Sequence, residues 1–127
     1  MLLSNGVKPG ETVCFYLTNS PDFMFSYLAT WAIGTAPALI NYNLAGDALI
    51  HCLKIGGSRV VLVDEDAECR SRIEEVRSRI ENELGMTIVV LDRQTKDSLG
   101  KTEARRPEDR LRAGVTLASP VMLMYTR

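Results

Sequence analysis

The sequence is poor in the residues that most often carry catalysis. It has one histidine, His51, and three cysteines, Cys14, Cys52 and Cys69, with no CxxC pair among them. A lone histidine supplies neither a histidine-rich metal site nor a second imidazole for a hydrolytic triad, and no GxSxG elbow is present, so no catalytic or metal-ligating residue is assigned. Cysteines odd in number and set in apolar or helical contexts fit reduced thiols better than a disulfide framework. A GxxxxGK[ST] loop is absent, and the turn Thr18-Asn19-Ser20-Pro21 has no glycine, which excludes a P-loop and a dinucleotide fingerprint. Charge of one sign is missing too. Fifteen basic and sixteen acidic residues leave a net −1, so nothing points to nucleic acid. The longest uninterrupted apolar stretch, Phe23 to Ile33, ends at Gly34 well short of the roughly 20 residues that span a bilayer. Met1-Leu2-Leu3 runs straight into Ser4-Asn5-Gly6, so no secretory leader is expected and an intracellular site is.

What is there is an alternation of short apolar runs and helical patterns. With 127 residues, 46% of them hydrophobic, the chain can form one layered domain or part of one. Thr12 to Leu17, Pro37 to Ile40, Arg59 to Val63 and Thr87 to Leu91 read as strands, rich in β-branched or aromatic residues. Ser20-Pro21-Asp22 opens a helix to Ile33, apolar on nearly every face and so expected deep in a larger core. Ala45-Gly46-Asp47 opens a second helix reaching about Ile55, closed by Gly56-Gly57, which sit at a helix end where they cannot cradle a phosphate. The third is read as one helix, with Cys69, Ile73, Val76, Ile80 and Leu84 on one stripe and Glu68–Arg72, Glu75–Arg79 and Arg77–Glu81 pairs four apart. Asp92 to Arg112 reads as a polar excursion with one short helix near Glu108 to Arg112, and Pro120 to Tyr125 as a last strand.

This order implies an α/β fold, a parallel sheet with helices on both faces, whose ligands bind beyond the carboxyl ends of the strands. Attention therefore falls on the turns Thr18-Asn19-Ser20, Asn41-Tyr42-Asn43, Asp64-Glu65-Asp66 and Asp92-Arg93, and on the residues after Tyr125. The three acids Asp64, Glu65 and Asp66 could bind a metal, but acids at a helix start are usually caps, and that reading is preferred. His51, beside apolar neighbours in mid-helix, is expected to be structural. Asn41, Tyr42 and Asn43 offer carboxamides and a phenol at the ligand edge, and equally suit a side-chain-capped turn.

The succession Gly6-Val7-Lys8-Pro9-Gly10-Glu11-Thr12-Val13, Leu17-Thr18-Asn19-Ser20-Pro21, Trp31-Ala32-Ile33-Gly34 and Ala38-Leu39-Ile40-Asn41-Tyr42-Asn43-Leu44, then His51-Cys52-Leu53, resembles the N-terminal domain of adenylate-forming acyl-CoA synthetases. It is most similar to the fatty acid transport protein and very-long-chain acyl-CoA synthetase branch. The resemblance implies a two-step ligase that uses ATP with magnesium to make an acyl-adenylate and then CoA to make the thioester, linked to fatty acid uptake. It further implies peroxisomal, endoplasmic-reticulum or other membrane-associated sites and peripheral membrane association, while the apolar helix Phe23 to Ile33 itself suggests contact with other chains through exposed apolar surface. Residues 1–127 would be a partial domain, truncated at both ends. Met124-Tyr125-Thr126 matches the strand leading into the family's phosphate loop, with Arg127 where its first serine would stand. Tyr125 and Thr126 carry over as nucleotide-loop positions, and the turn of Asn41, Tyr42 and Asn43 corresponds to a loop on the CoA side. The chain alone is therefore expected to bind none of these cofactors usefully and to be inactive. The alternative is a non-enzymatic α/β interaction module that binds an intact synthetase or a membrane surface.

Overall fold

In the computed structural model all residues are described except Ala104, Thr126 and Arg127. Five parallel strands form one sheet: β1 (Thr12–Tyr16), β2 (Ala36–Leu39), β3 (Val60–Asp64), β4 (Thr87–Leu91) and β5 (Leu123–Met124), in the order β4-β3-β1-β2-β5. The helices are α1 (Pro21–Ala32), α2 (Gly46–Gly56), α3 (Ala67–Glu75), α4 (Arg77–Asn82) and α5 (Arg93–Lys101), with single 3-10 turns at Leu3–Asn5 and Asp109–Arg112. The chain steps from β1 to β2 in one direction and from β2 to β3 in the other. Right-handed crossovers therefore put α1 on one face and α2 on the opposite one.

Strand side chains divide between those faces with the two-residue period. Val13 and Phe15 of β1 and Val60 and Leu62 of β3 pack toward Tyr27 of α1. Cys14, Tyr16, Val61 and Val63 pack toward Leu49 and Leu53 of α2, Ile73 of α3 and Ile80 of α4. Gly56 permits the close approach of α2, since a Cβ there would lie 2.7 Å from Cys14 Sγ and 3.0 Å from Tyr125 Oη. Gly34, at φ +76°, turns the chain out of α1 where any side chain would collide with the Leu111 carbonyl.

Five expectations change. Helix α1 is not deep in the core: Phe23, Tyr27 and Trp31 form an aromatic ladder that starts on Phe15, while Met24, Phe25 and Leu28 face outward, Phe25 at 69% exposure. Ser20 stands at its N-cap without a side-chain bond. The single third helix is two, because Val76 leaves the helical region (φ −118°, ψ 12°) and its N–H turns back to Ile73 and Glu74. The break lets α3 lie over β3 and α4 over β4 as the sheet twists, with Ile73, Val76 and Ile80 still in one core. The Glu75–Arg79 pair is replaced, since Arg79 reaches Asp47 at 2.7 Å and Glu83 at 3.5 Å, whereas Arg72–Glu68 and Arg77–Glu81 form as expected. Finally, Arg93–Lys101 is a helix rather than part of an irregular excursion, capped by Asp92 Oδ1, which accepts from the Thr95 N–H at 2.8 Å.

Candidate functional site

All the turns singled out in the sequence lie at the carboxyl edge of the sheet, because every strand points the same way. Connections leave the neighbouring strands β1 and β3 toward opposite faces, so the crevice between them is the switch point where such sheets open to ligands. Here it is filled by the protein's own groups. Asp64 Oδ2 accepts from the Thr18 N–H at 3.0 Å and from Thr18 Oγ1 at 2.7 Å, and Asp64 Oδ1 accepts from the Asp66 N–H at 2.9 Å. Burial pushes the Asp64 carboxyl up, but these bonds together with the Lys96 charge outweigh it and hold the group below the usual carboxylate range. Asp66 caps α3 by accepting from the Glu68 and Cys69 N–H groups. Lys96 Nζ sits 2.8 Å from Asp22 and 2.9 Å from Glu65, two carboxylates that raise its pKa. Each acid of the Asp64-Glu65-Asp66 turn thus has an internal partner, in line with the capping reading. Lys96 completes this edge unannounced by the sequence, whereas Asp92, whose turn the sequence singled out, spends its carboxylate on capping α5.

Asn41, Tyr42 and Asn43 come together as a tight turn after β2. Asn41 Oδ1 accepts from the Asn43 N–H at 2.9 Å, and the Asn41 carbonyl accepts from the Leu44 N–H at 3.0 Å. Tyr42 packs its ring on the α2–α3 core, while the Asn41 and Asn43 side chains stand exposed. Two distant residues bind the backbone of this turn: Tyr16 Oη donates to the Leu44 carbonyl at 2.6 Å, and Arg72 Nη1 to the Tyr42 carbonyl at 2.7 Å. The capped-turn reading is therefore met in full, and it leaves two carboxamides presented to solvent.

Tyr125 follows β5, but its side chain turns into the α2 interface, where Oη donates to the Cys52 carbonyl at 3.0 Å. Burial, then the nearby Cys14 and Cys52 thiols, push its phenol up to about 12. Thr126, the other expected nucleotide-loop position, lies outside the described residues. His51 stands exposed on α2. Burial pushes the Cys14 thiol up to about 12, and burial with Asp66 and Asp64 pushes Cys69 up to about 11, so neither is an activated nucleophile. On the α1 face a groove of about 580 Å³ runs between α1 and α5, floored by Ser26, Ala29 and Ala32 and flanked by Phe25 and Leu99.

The fold and edge define an open parallel α/β domain whose polar turns gather at one end of the sheet, with acids at its switch point and carboxamides beside it. The profile of the AMP-binding enzyme family matches residues 1–126, and the chain belongs to that family. It is 49% identical over 75 residues to isopenicillin N epimerase component 1 of Hapsidospora chrysogena, covering 59% of this chain and 12% of that protein. To the very long-chain fatty acid transport protein of Saccharomyces cerevisiae it is 33% identical over 129 residues, covering 94% of this chain and 18% of that protein. Among solved structures, the N-terminal domain of FACL13 from Mycobacterium tuberculosis superposes with a TM-score of 0.83 at 22% identity, over 99% of this chain and 31% of that one. The chain thus spans less than a fifth of the length of these two curated relatives. The α/β parallel sheet expected from sequence is the sheet observed, and it is the fold of that N-terminal domain.

Proposed function

We propose that residues 1–127 form part of the N-terminal domain of an ATP-dependent long- or very-long-chain fatty acyl-CoA ligase, in which the Asn41-Tyr42-Asn43 turn faces CoA. The observation that carries this reading is the 33% identity, along 94% of the chain, to a protein named a very long-chain fatty acid transport protein. The exposed carboxamides of Asn41 and Asn43 suit the amide-bearing arm of CoA, with both donors and acceptors to offer. Phosphates find less among the described residues. The switch-point crevice is lined by Asp22, Asp64, Glu65 and Asp66, and its cation, Lys96, is already held by two carboxylates. The 127-residue chain by itself accordingly makes no acyl-adenylate. In the intact ligase, ATP with magnesium supplies the activation, and Tyr125 and Thr126 lead into the loop that holds its phosphates. Such an enzyme would serve fatty acid uptake at membrane-associated sites, the peroxisome and endoplasmic reticulum among them.

The test has two parts. Incubated with ATP, magnesium and a long-chain fatty acid, the 127-residue chain is expected to release no pyrophosphate above background, and measurable acyl-adenylate overturns its inactivity. CoA binding too weak to support catalysis still registers in a spectrum, so at millimolar CoA the amide resonances of residues 41–44 of the chain are expected to shift. Unmoved resonances at saturating CoA overturn the assignment of the turn.

A second reading, a non-enzymatic module that binds an intact synthetase or a membrane surface, draws on the outward apolar side chains Met24, Phe25 and Leu28. No helix among the described residues is long and apolar enough to cross a membrane, so such binding would be peripheral. Sedimentation with an intact synthetase or with phosphatidylcholine vesicles would support it, and a monomer that associates with neither would sink it.

A further inference from the structure

The Asn41–Leu44 turn closes itself twice, through the Asn41 carbonyl and through Asn41 Oδ1, yet two other elements also grip it. Tyr16, fully buried at the end of β1, spends its hydroxyl on the Leu44 carbonyl. Arg72 of α3, three-quarters buried, reaches the Tyr42 carbonyl and keeps Glu68 on its other nitrogen. One helix break further on, Arg79 of α4 pairs with Asp47 in the first turn of α2, just after the turn. A surface turn that only had to reverse the chain would need none of these. Their joint effect is to fix the backbone on the inner side while the Asn41 and Asn43 side chains remain exposed on the outer side. Preorganisation of this kind is what holds a recognition element in place before its ligand arrives.

We propose that Arg72 and Tyr16 are positioning residues that hold the Asn41-Tyr42-Asn43 turn in its binding conformation. The purpose of this arrangement rests on the CoA reading above, whereas the restraint itself does not. Neither residue touches the ligand. Arg72 acts through the Tyr42 carbonyl and Tyr16 through the Leu44 carbonyl, so the loss of either frees the turn without removing a carboxamide.

Native-state hydrogen exchange of the 127-residue chain reads the restraint directly. In Arg72→Ala the Asn43 and Leu44 amides are expected to exchange about tenfold faster, the loss of one charge-assisted hydrogen bond, while the Val61 and Leu62 amides of β3 stay within twofold. Tyr16→Phe keeps the buried ring and is expected to give the same local pattern, which preserves the test if Arg72→Ala misfolds. Arg72→Lys can still donate to the Tyr42 carbonyl and is expected to recover most of the protection. Turn amides that accelerate no more than those of β3, or a lysine variant as fast as alanine, would overturn the proposal. Titration of each variant with CoA separates the two ideas. A weaker CoA response in the freed variants supports positioning for binding, and a wild-type chain blind to CoA sinks the CoA reading while the exchange result still decides the restraint.

Discussion

At the residue scale the most consequential side chain is Asp64. It accepts three hydrogen bonds at the joint between β1 and β3, two from Thr18 and one from Asp66. Asp64→Asn keeps the shape but loses the charge and one acceptor geometry, and is expected to lower unfolding free energy at pH 7 by about 1–2 kcal/mol in urea denaturation. The pH dependence has a definite sign. The folded pKa lies below the unfolded one, so this stabilisation is present above the ordinary carboxylate value and is lost as pH falls through the folded value. The gap between wild type and Asp64→Asn should therefore close as pH drops from about 4 toward 2. A gap that stayed constant to pH 2 would show that the carboxylate charge is not what holds Thr18.

Among the elements, α1 best separates what composition can say from what packing decides. Its residues announce a helix, but not which face is covered. The ladder of Phe23, Tyr27 and Trp31 chooses the face, and Ser26 and Thr30 are buried with it, the Thr30 hydroxyl bonding the Tyr27 carbonyl at 2.6 Å. Phe25 and Leu28, more apolar than either, are left outside. Phe25→Gln is accordingly expected to cost less than about 0.5 kcal/mol and to reduce binding of a hydrophobic dye, whereas Tyr27→Ala costs about 3 kcal/mol, both read from denaturation midpoints. The remaining elements divide in the same way. β4 was legible to the residue because Thr87 to Leu91 is a dense β-branched run. The break at Val76 was not, since the apolar stripe passes straight through it and the sheet's twist imposes the kink. Helix α5 hid because Leu99 is its only large apolar residue, so no stripe forms, and its stability comes from the Asp92 cap and the Lys96 ion pairs. The Asn41–Asn43 turn could be seen in the sequence, but not the residues that hold it. Tyr16 and Arg72 lie 28 and 30 positions from the carbonyls they bind.

For the molecule as a whole the strand order sets the hierarchy of stability. β1 and β3 lie inside the sheet with both faces covered, and their residues are almost wholly buried. β5 contributes two residues at one edge, tied to the rest by the Tyr125–Cys52 and Trp31–Val121 hydrogen bonds. Hydrogen exchange should rank the strands accordingly, slowest in β1 and β3 and fastest in β5. Comparable protection at Met124 and Val61 would contradict this ranking. The position of β5 also has a consequence for biosynthesis. As the chain leaves the ribosome, four strands can pair once Leu91 has emerged, yet the outer side of β2 must wait for Leu123 and Met124. Throughout that interval a nascent chain displays the outer side of β2 to any neighbour able to add to it, and the two-residue strand that contributes least to stability is the one that covers Ala38 and Leu39 and leaves a far shorter edge in their place.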